Sequence, residues 1–171
     1  ELVVQGYQTT LLASPRLRQH PDWLNNGIRV QPFSSFKSLE SALNRYSKQE
    51  QPDLVFMAAA VADYSPSPHS GKLTSTNAEL TIRLSRNPKL LHRLRDQFGD
   101  SAYLVGFKLL SGVTDDELVA VARQQIADNR LDLCVANDAS SISDTHHPIY
   151  IVSPTRDVTR AAGSKNEIAR D

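Results

Sequence analysis

Apolar residues occur along this chain in two kinds of pattern. Residues 53–60 form a continuous apolar run, which is typical of a strand buried on both faces. From Phe36 to Tyr46 the apolar residues are spaced three and four apart, as on one face of a helix. Leu80, Ile82 and Leu84 alternate with polar neighbours, which indicates a half-exposed strand over 79–84. Further strands are predicted at 7–12, 28–33, 102–107, 131–136, 149–152 and near Val158.

Capping residues predict where the helices begin. Thr114 and Glu117 form a capping box, and Asn87 followed by Pro88 gives a second start with proline at the first helical position. The two helices are predicted to reach about residues 129 and 98, and a last helix opens at Ser164. The polar stretches after residue 12 and over 64–72 are rich in turn-forming residues and are predicted to be loops.

The order of these elements predicts the fold class. Strands that alternate with helices indicate an α/β protein, here a three-layer Rossmann-like fold with a mostly parallel sheet. The opening residues Glu1 to Gly6 resemble the end of a helix closed by a glycine cap, and a strand follows at once. We therefore expect residues 1–171 to be a single domain that lacks its N-terminal βα unit.

Composition excludes several classes of function. Lys and Arg total 19 and Asp and Glu total 19, and this balance argues against a protein that holds nucleic acid or a membrane surface. The single cysteine, Cys134, lies in an apolar run and is interpreted as a core residue of a protein from a reducing compartment, the cytoplasm. No two of the seven glycines are two, four or five residues apart, which excludes a dinucleotide fingerprint, a nucleophile elbow and a P-loop.

Polar residues follow three of the predicted strands. Asp63 comes after the first, Lys108 ends the second, and Asn137 with Asp138 ends the third. Ligands bind beyond the carboxyl ends of parallel strands, so we expect a site at this edge of the sheet. The alanines at 58–60 would let a flat ring or a ribose approach the backbone, although tight packing under a helix explains them equally well. Lys72 could reach a phosphate chain from its polar loop, or it could be a solvated surface charge.

Five segments together resemble phosphopantothenoylcysteine synthetase, also called phosphopantothenate–cysteine ligase. They occur in the order and spacing of that family, over roughly residues 1–168. The segments are Ala59 to Tyr64, Gly71-Lys72, Asn87 to Leu91, Val105 to Lys108 and Asp132 to Asp138. Gly106 to Leu110 with Val113-Thr114 looks most like the stand-alone bacterial type of the family.

The resemblance implies a ligase that joins 4′-phosphopantothenate to L-cysteine in coenzyme A biosynthesis. Such enzymes use CTP with Mg²⁺ and no flavin, they work in the cytoplasm, and they are homodimers. The substrate carboxylate attacks the α-phosphorus of CTP to give an acyl-cytidylate, and the cysteine amine then displaces CMP. Activation as a mixed anhydride divides one difficult step into two easier ones. We expect the dimer contact at the strand 79–84 and the loop before it, because edge strands pair readily with partners.

The resemblance also assigns roles to single residues. Lys72 is implied to be the catalytic lysine that meets the triphosphate, and no residue is implied to bind a metal. The residues implied to bind the nucleotide are Ala59, Ala60, Asp63, Lys72, Asn87, Pro88, Lys89, Leu90 and Phe107, with Asn137 as a further site candidate. The chain departs from the family at Leu109-Leu110, where many members carry a glutamate, and at Gln125 and Asn129, where fused bacterial enzymes carry lysines.

Two other classes of function remain open. One is a nucleotide-binding module without catalysis, and the other is a nicotinamide-dependent oxidoreductase. Thermal stability measured with each nucleotide would separate them from the ligase, because a ligand that binds only the folded state raises the melting temperature.

Overall fold

The computed structural model describes residues 2–15, 27–67, 70–73, 78–155 and 157–170. The strands are β1 (Thr10–Ala13), β2 (Arg29–Pro32), β3 (Leu54–Met57), β4 (Tyr64–Pro66), β5 (Leu84–Arg86), β6 (Tyr103–Leu110), β7 (Leu133–Asp138), β8 (Ile149–Val152) and β9 (Val158–Ala161). The helices are α1 (Phe36–Gln49), α2 (Leu90–Phe98), α3 (Asp115–Asn129) and the short α4 (Lys165–Ile168). Most of the predicted loop after residue 12 falls at 16–26, outside the described residues.

A five-stranded sheet with the order β3-β6-β7-β8-β9 forms the centre of the structure. Strands β3, β6 and β7 are parallel, and β8 and β9 are added antiparallel. Strands β1 and β2 form a separate parallel pair, and β4 and β5 form an antiparallel ribbon. The predicted α/β fold, with parallel strands at its centre and flanking helices, is confirmed.

The main core lies between this sheet and the three longer helices. Leu104 on β6, Cys134 and Ala136 on β7 and Val152 on β8 are fully buried there. The helices contribute Leu39 and Leu43 from α1, Leu90, Leu94 and Phe98 from α2, and Leu118, Ala122 and Ile126 from α3. Cys134 is thus a core residue, as predicted, and burial raises the pKa of its thiol to about 11.

Three of the local capping signals in the sequence are confirmed. The Thr114 side chain accepts a hydrogen bond from the Glu117 amide and the Glu117 side chain accepts one from the Thr114 amide, so α3 has the predicted capping box. Ser164 opens α4 with a capping box of the same kind. At the start of the chain, the Gly6 amide donates to the Val3 carbonyl and the Tyr7 amide to the Leu2 carbonyl. This pair of bonds, with Gly6 at a φ of +90°, is the glycine-capped end of a helical turn.

The prediction of a strand buried on both faces at 53–60 is wrong in extent and in burial. Strand β3 ends at Met57, and the alanines at 58–60 that follow it are exposed. Within the described residues β3 pairs only with β6, so it is an edge strand, and the Phe56 side chain is 49% exposed.

The prediction of a half-exposed strand at 79–84 is also wrong. Strand β5 begins only at Leu84, and all its residues are exposed. It pairs with β4, which lies within the stretch predicted to be a loop. Because Tyr64 and Arg86 are far apart in the sequence, periodicity within either segment could not reveal their pairing.

None of the helices in the described ranges combines the length and the apolar character that a membrane crossing requires.

Candidate functional site

The register of the central strands determines which residues meet at the carboxyl edge of the sheet. Met57, the last residue of β3, is level with Gly106 on β6. Strand β6 continues beyond this level, and Leu110 is paired with Asp138 at the end of β7. The carboxyl ends of the parallel strands lie on one side of the sheet, but Lys108 does not end its strand as predicted, because β6 runs on to Leu110 while Asp138 ends β7.

Asn87 holds the segment after β3 against the segment that leads into α2. Its side-chain amide donates to the Ala62 carbonyl at 2.8 Å and to the Ser65 hydroxyl oxygen at 2.8 Å. Its backbone amide donates to the Asp63 carbonyl, also at 2.8 Å. These bonds bring together two of the segments in which site residues were predicted, and they leave the Asp63 carboxylate exposed.

The prediction that Asn87 and Pro88 start the next helix is wrong. Helix α2 begins at Leu90, with Lys89 in the cap position and no side-chain hydrogen bond at the cap. The Asn87 amide is engaged by residues that precede it by 22 and 25 positions, so it does not cap the helix. Leu90 is 4% exposed and packs in the core, so only its backbone can face a ligand, whereas Pro88 and Lys89 are exposed.

Ala60 also borders a cavity of about 480 Å³ that the sequence did not reveal. The cavity lies between the loop after β3, the ends of β1 and β2, and the first turn of α1. Its lining is mostly apolar and consists of Ser14, Pro15, Phe33, Ser34, Ser35, Phe36, Leu39, Ala60, Val61, Ala62 and Ser65. Ser35 and Ser38 form a capping box at the start of α1, one wall of the cavity, and the sequence analysis missed it.

Phe107 is presented at the surface of the sheet. Its ring is 39% exposed, and its centroid is 6.4 Å from that of the Phe56 ring. The preceding Gly106 lies so close to α3 that a Cβ atom there would be 2.6 Å from Leu131 Cδ1 and 3.0 Å from Gln125 Nε2. Gln125 Nε2 donates to the Phe107 carbonyl at 3.2 Å, so helix α3 holds the backbone on which the Phe107 ring stands.

Asp138 connects the end of β7 to the loop that precedes α3. Its carboxylate accepts hydrogen bonds from the backbone amides of Gly112 at 3.0 Å, Val113 at 3.1 Å and Ser140 at 2.8 Å. The Ser140 hydroxyl donates to the same carboxylate at 2.8 Å. These donors, those of Ser140 above all, hold the pKa of Asp138 below its ordinary value. The neighbouring Asn137 is half-buried and is fixed at the carboxyl edge by this arrangement.

Lys72 takes no part in the hydrogen bonds that join Asn87 to the segment after β3. It is exposed after Gly71, whose φ is +94°, and no hydrogen bond or ion pair links it to another part of the chain that the structure describes. The structure joins Asp63 to Asn87, places Ala60 on the wall of the cavity, and has Phe107 and Asn137 toward the carboxyl ends of neighbouring strands. Ala59 is exposed in the loop after β3. Across the described ranges, no three His, Cys, Asp or Glu side chains are grouped so that they could hold a metal ion.

A family model and several known proteins match this chain. The model described as DNA/pantothenate metabolism flavoprotein C-terminal domain matches residues 1–171. The coenzyme A biosynthesis bifunctional protein CoaBC of Methanocaldococcus jannaschii is 33% identical over 119 residues, which are 68% of this chain and 29% of that protein. Phosphopantothenate–cysteine ligase 2 of Oryza sativa subsp. japonica is 30% identical over 164 residues, which are 89% of this chain and 48% of that protein.

A solved structure supports the same relationship. The DNA/pantothenate metabolism flavoprotein from Streptococcus pneumoniae superposes with a TM-score of 0.82 at 25% identity, over 99% of this chain and 80% of that one. The chain spans less than half the length of the two curated relatives named above.

Proposed function

The chain belongs to the family of DNA/pantothenate metabolism flavoprotein C-terminal domains, and on that premise we propose that it is the nucleotide-binding domain of a phosphopantothenate–cysteine ligase in coenzyme A biosynthesis. The observation that carries the proposal is the set of hydrogen bonds from Asn87, which unites the segment 59–63 with the start of α2 at the carboxyl edge of the parallel strands. That edge is where α/β folds bind nucleotides. The relative from Oryza sativa carries the name of this activity.

In the proposed reaction, CTP activates the carboxylate of 4′-phosphopantothenate, and the amine of L-cysteine then displaces CMP. The exposed backbone at Ala59 and Ala60 accommodates the ribose or the base because no large side chain blocks it. Phe107 provides an exposed aromatic ring at the same edge, and Asn137 is held there beside Asp138. Lys72, on its exposed segment, approaches the triphosphate and stabilises the charge that develops on it during the attack.

Mg²⁺ enters this proposal as the companion of CTP. Phosphate oxygens are the kind of ligand that Mg²⁺ prefers, and in this proposal those of the nucleotide would hold the ion. The proposal includes no flavin. The protein that carries this chain is proposed to work in the cytoplasm as a homodimer.

The dimer contact that we propose is the ribbon of β4 and β5 with the segment that precedes β5. Leu80, Ile82 and Leu84 are 61%, 60% and 53% exposed, and Tyr64 on β4 is 56% exposed. An isolated two-stranded ribbon is only marginally stable in water. A second copy of the chain would cover these apolar side chains and extend the ribbon.

The test is the release of pyrophosphate by the complete protein that carries this chain. With CTP and phosphopantothenate we expect pyrophosphate release that does not require cysteine, and with cysteine we expect CMP and the amide product. Binding of CTP without pyrophosphate release would favour the non-catalytic module. A rise in melting temperature with a nicotinamide nucleotide, and none with CTP, would favour the oxidoreductase.

The Asn87 hydrogen bonds can be tested in the same assay. Asn87→Ala removes both side-chain bonds and should raise KM for CTP, because the two segments that form the proposed site are no longer tied together. Asn44→Ala on α1, whose side chain accepts a hydrogen bond from Gln97 away from the carboxyl edge, is the matched control. An unchanged KM for CTP in Asn87→Ala would contradict the assigned site.

A further inference from the structure

Lys108 is a half-buried cation on a central strand of the sheet. It lies on β6, and alternation along the strand places its side chain on the same face as the buried Leu104. Helices α2 and α3 cover this face, since their core residues pack against Leu104. No hydrogen bond or ion pair to Lys108 occurs within the ranges that the structure describes.

The position of Lys108 in the register brings it next to the proposed nucleotide site. Strand β3 ends level with Gly106, so Lys108 lies two residues beyond the point at which the chain leaves the sheet for the segment 59–63. That segment is joined through Asn87 to the start of α2, on the side of the sheet that Lys108 faces. The space beside Lys108 is thus bordered by two segments that we assign to the nucleotide.

Lys108 lies in a row of residues that crosses four strands. It is paired with Ala136, Ala136 with Tyr150, and Tyr150 with Arg160. Arg160 lies over the Tyr150 ring, 5.7 Å from its centroid. The carboxylate on the same face of β7 is that of Asp138, two rows further on, and it is engaged by the amides of Gly112, Val113 and Ser140. The row therefore carries two cations and no carboxylate.

Lys108 is half-buried, and its charge opposes the effect of burial on the pKa of Cys134, which lies two rows away on β7. An ammonium group that a bound ligand covers loses hydration free energy, and this loss is recovered only when the ligand supplies an anion or a carbonyl as a hydrogen-bond partner. No hydrogen-bond partner of Lys108 occurs in the described part of the chain, so an anionic ligand is the partner that the position favours.

We propose that Lys108 binds the phosphate chain of the nucleotide. The inference rests on the proposed function, and it adds to that function a second phosphate-binding lysine, one held by the sheet. Lys108 and Lys72 would then have different roles. Lys108 stands in place before the nucleotide arrives and contributes to ground-state binding, whereas Lys72 approaches from an exposed segment and acts on the developing charge.

The experiment compares the binding of CTP and of cytidine by isothermal calorimetry. Lys108→Gln should weaken CTP binding about ten- to a hundredfold, the effect of removing one charged hydrogen-bond donor, and should leave cytidine binding unchanged. Lys108→Arg keeps the charge and should recover most of the affinity for CTP. Lys48→Gln, at an exposed position of α1, should bind CTP as the unmodified protein does.

Lys108→Met is a second variant that retains the apolar stem, and it should lose affinity for CTP as Lys108→Gln does. If either neutral variant binds CTP with unchanged affinity, or loses affinity for CTP and cytidine equally, the inference is wrong and the proposed function stands. If the unmodified protein binds neither CTP nor cytidine, the proposed function fails and the inference fails with it.

Discussion

Single side chains show how segments distant in the sequence are fixed at the carboxyl edge. Asp138 uses one carboxylate to hold Gly112 and Val113, which come from the other side of α3, and Ser140, which follows it. Its position next to Asn137, a predicted site residue, means that this strand end and the loop before a helix are stabilised together. The ionised form of Asp138 is the one that accepts all these bonds, so their strength depends on pH.

Asp138 should make the stability of the protein depend on pH in the acid range. Its pKa in the folded state is lowered relative to the unfolded state, so its contribution is complete above about pH 4 and disappears as the pH falls through the lowered folded value. Asp138→Asn should therefore be less stable than the unmodified protein at pH 7, and the difference should shrink at pH 3. Urea unfolding at both pH values measures it, and Asp100→Asn, at an exposed position, is the control. A difference that is the same at pH 7 and pH 3 would contradict the role of the carboxylate.

Lys72→Ala should lower kcat much more than it lowers the affinity for CTP. An exposed lysine without a partner among the described residues gains most of its interaction energy when charge builds up on the phosphates in the transition state. The expected loss is about 2–4 kcal/mol of transition-state stabilisation, as for the removal of one charge-stabilising donor. Steady-state kinetics of the complete protein measure it, with Lys48→Ala as the surface control. An unchanged kcat would mean that Lys72 is a solvated surface charge.

At the scale of elements, the sequence predicted those features that depend on near neighbours. The capping box of Thr114 and the glycine cap at Gly6 involve residues at most five positions apart, and both are confirmed. The start of α2 was missed because the Asn87 amide bonds to residues that are distant in the sequence. The strand that begins at Leu84 was placed too early because its partner, β4, was hidden in a polar stretch with prolines.

The same distinction applies to the candidate site. The expectation of a site at the carboxyl edge needs only the order of the strands, which could be predicted, and the site itself stays a prediction. The cavity beside the first turn of α1 and the bonds to Asp138 could not be predicted, since they join segments whose contact depends on the packed fold. In each case the sequence does not reveal which backbone groups, distant in the chain, a polar side chain contacts in the folded protein.

Arg95 joins helix α2 to strands β6 and β7, and its replacement should destabilise the protein. The side chain is 7% exposed and donates to the carbonyls of Gly99, Ala102 and Arg130. It also donates to the Asp132 carboxylate at 2.6 Å, which in turn accepts the Leu104 amide at 2.7 Å. Arg95→Ala leaves this carboxylate and these carbonyls without their partner, which costs about 3–5 kcal/mol.

The measurement for Arg95→Ala is the melting temperature, and a fall of about 10 °C is expected for a chain of this size. Arg93→Ala is the matched control, because Arg93 lies on the same helix and forms a partly exposed ion pair with Glu40. Its loss should cost less than about 1 kcal/mol. Equal melting temperatures for the two variants would show that the buried interactions of Arg95 do not determine how α2 is held.

At the scale of the whole molecule, two of the groups of exposed apolar side chains in the described residues matter for contacts with other molecules. One is the sheet surface around Phe56 and Phe107, and the other is the segment with Leu80, Ile82 and Leu84 that leads into the ribbon. The second leads directly into the ribbon of β4 and β5, and Leu80, Ile82 and Leu84 are each more than half exposed there. Large exposed apolar patches are uncommon on monomers and mark contacts with other molecules.

Ile82→Asp combined with Leu80→Asp should convert the proposed dimer to a monomer. In the proposed contact, the two new carboxylates would lie opposite the same carboxylates of the partner copy and would be removed from water, and both effects cost free energy. Thr81→Asp combined with Arg83→Asp introduces two carboxylates at polar positions of the same segment and should leave the dimer intact. Light scattering coupled to size-exclusion chromatography of the complete protein gives the molar mass of each variant. A monomeric unmodified protein, or equal masses for the two double variants, would exclude this segment as the contact. If only the variant with Leu80→Asp and Ile82→Asp is monomeric, the result would show that a second copy of the chain packs against the exposed ribbon.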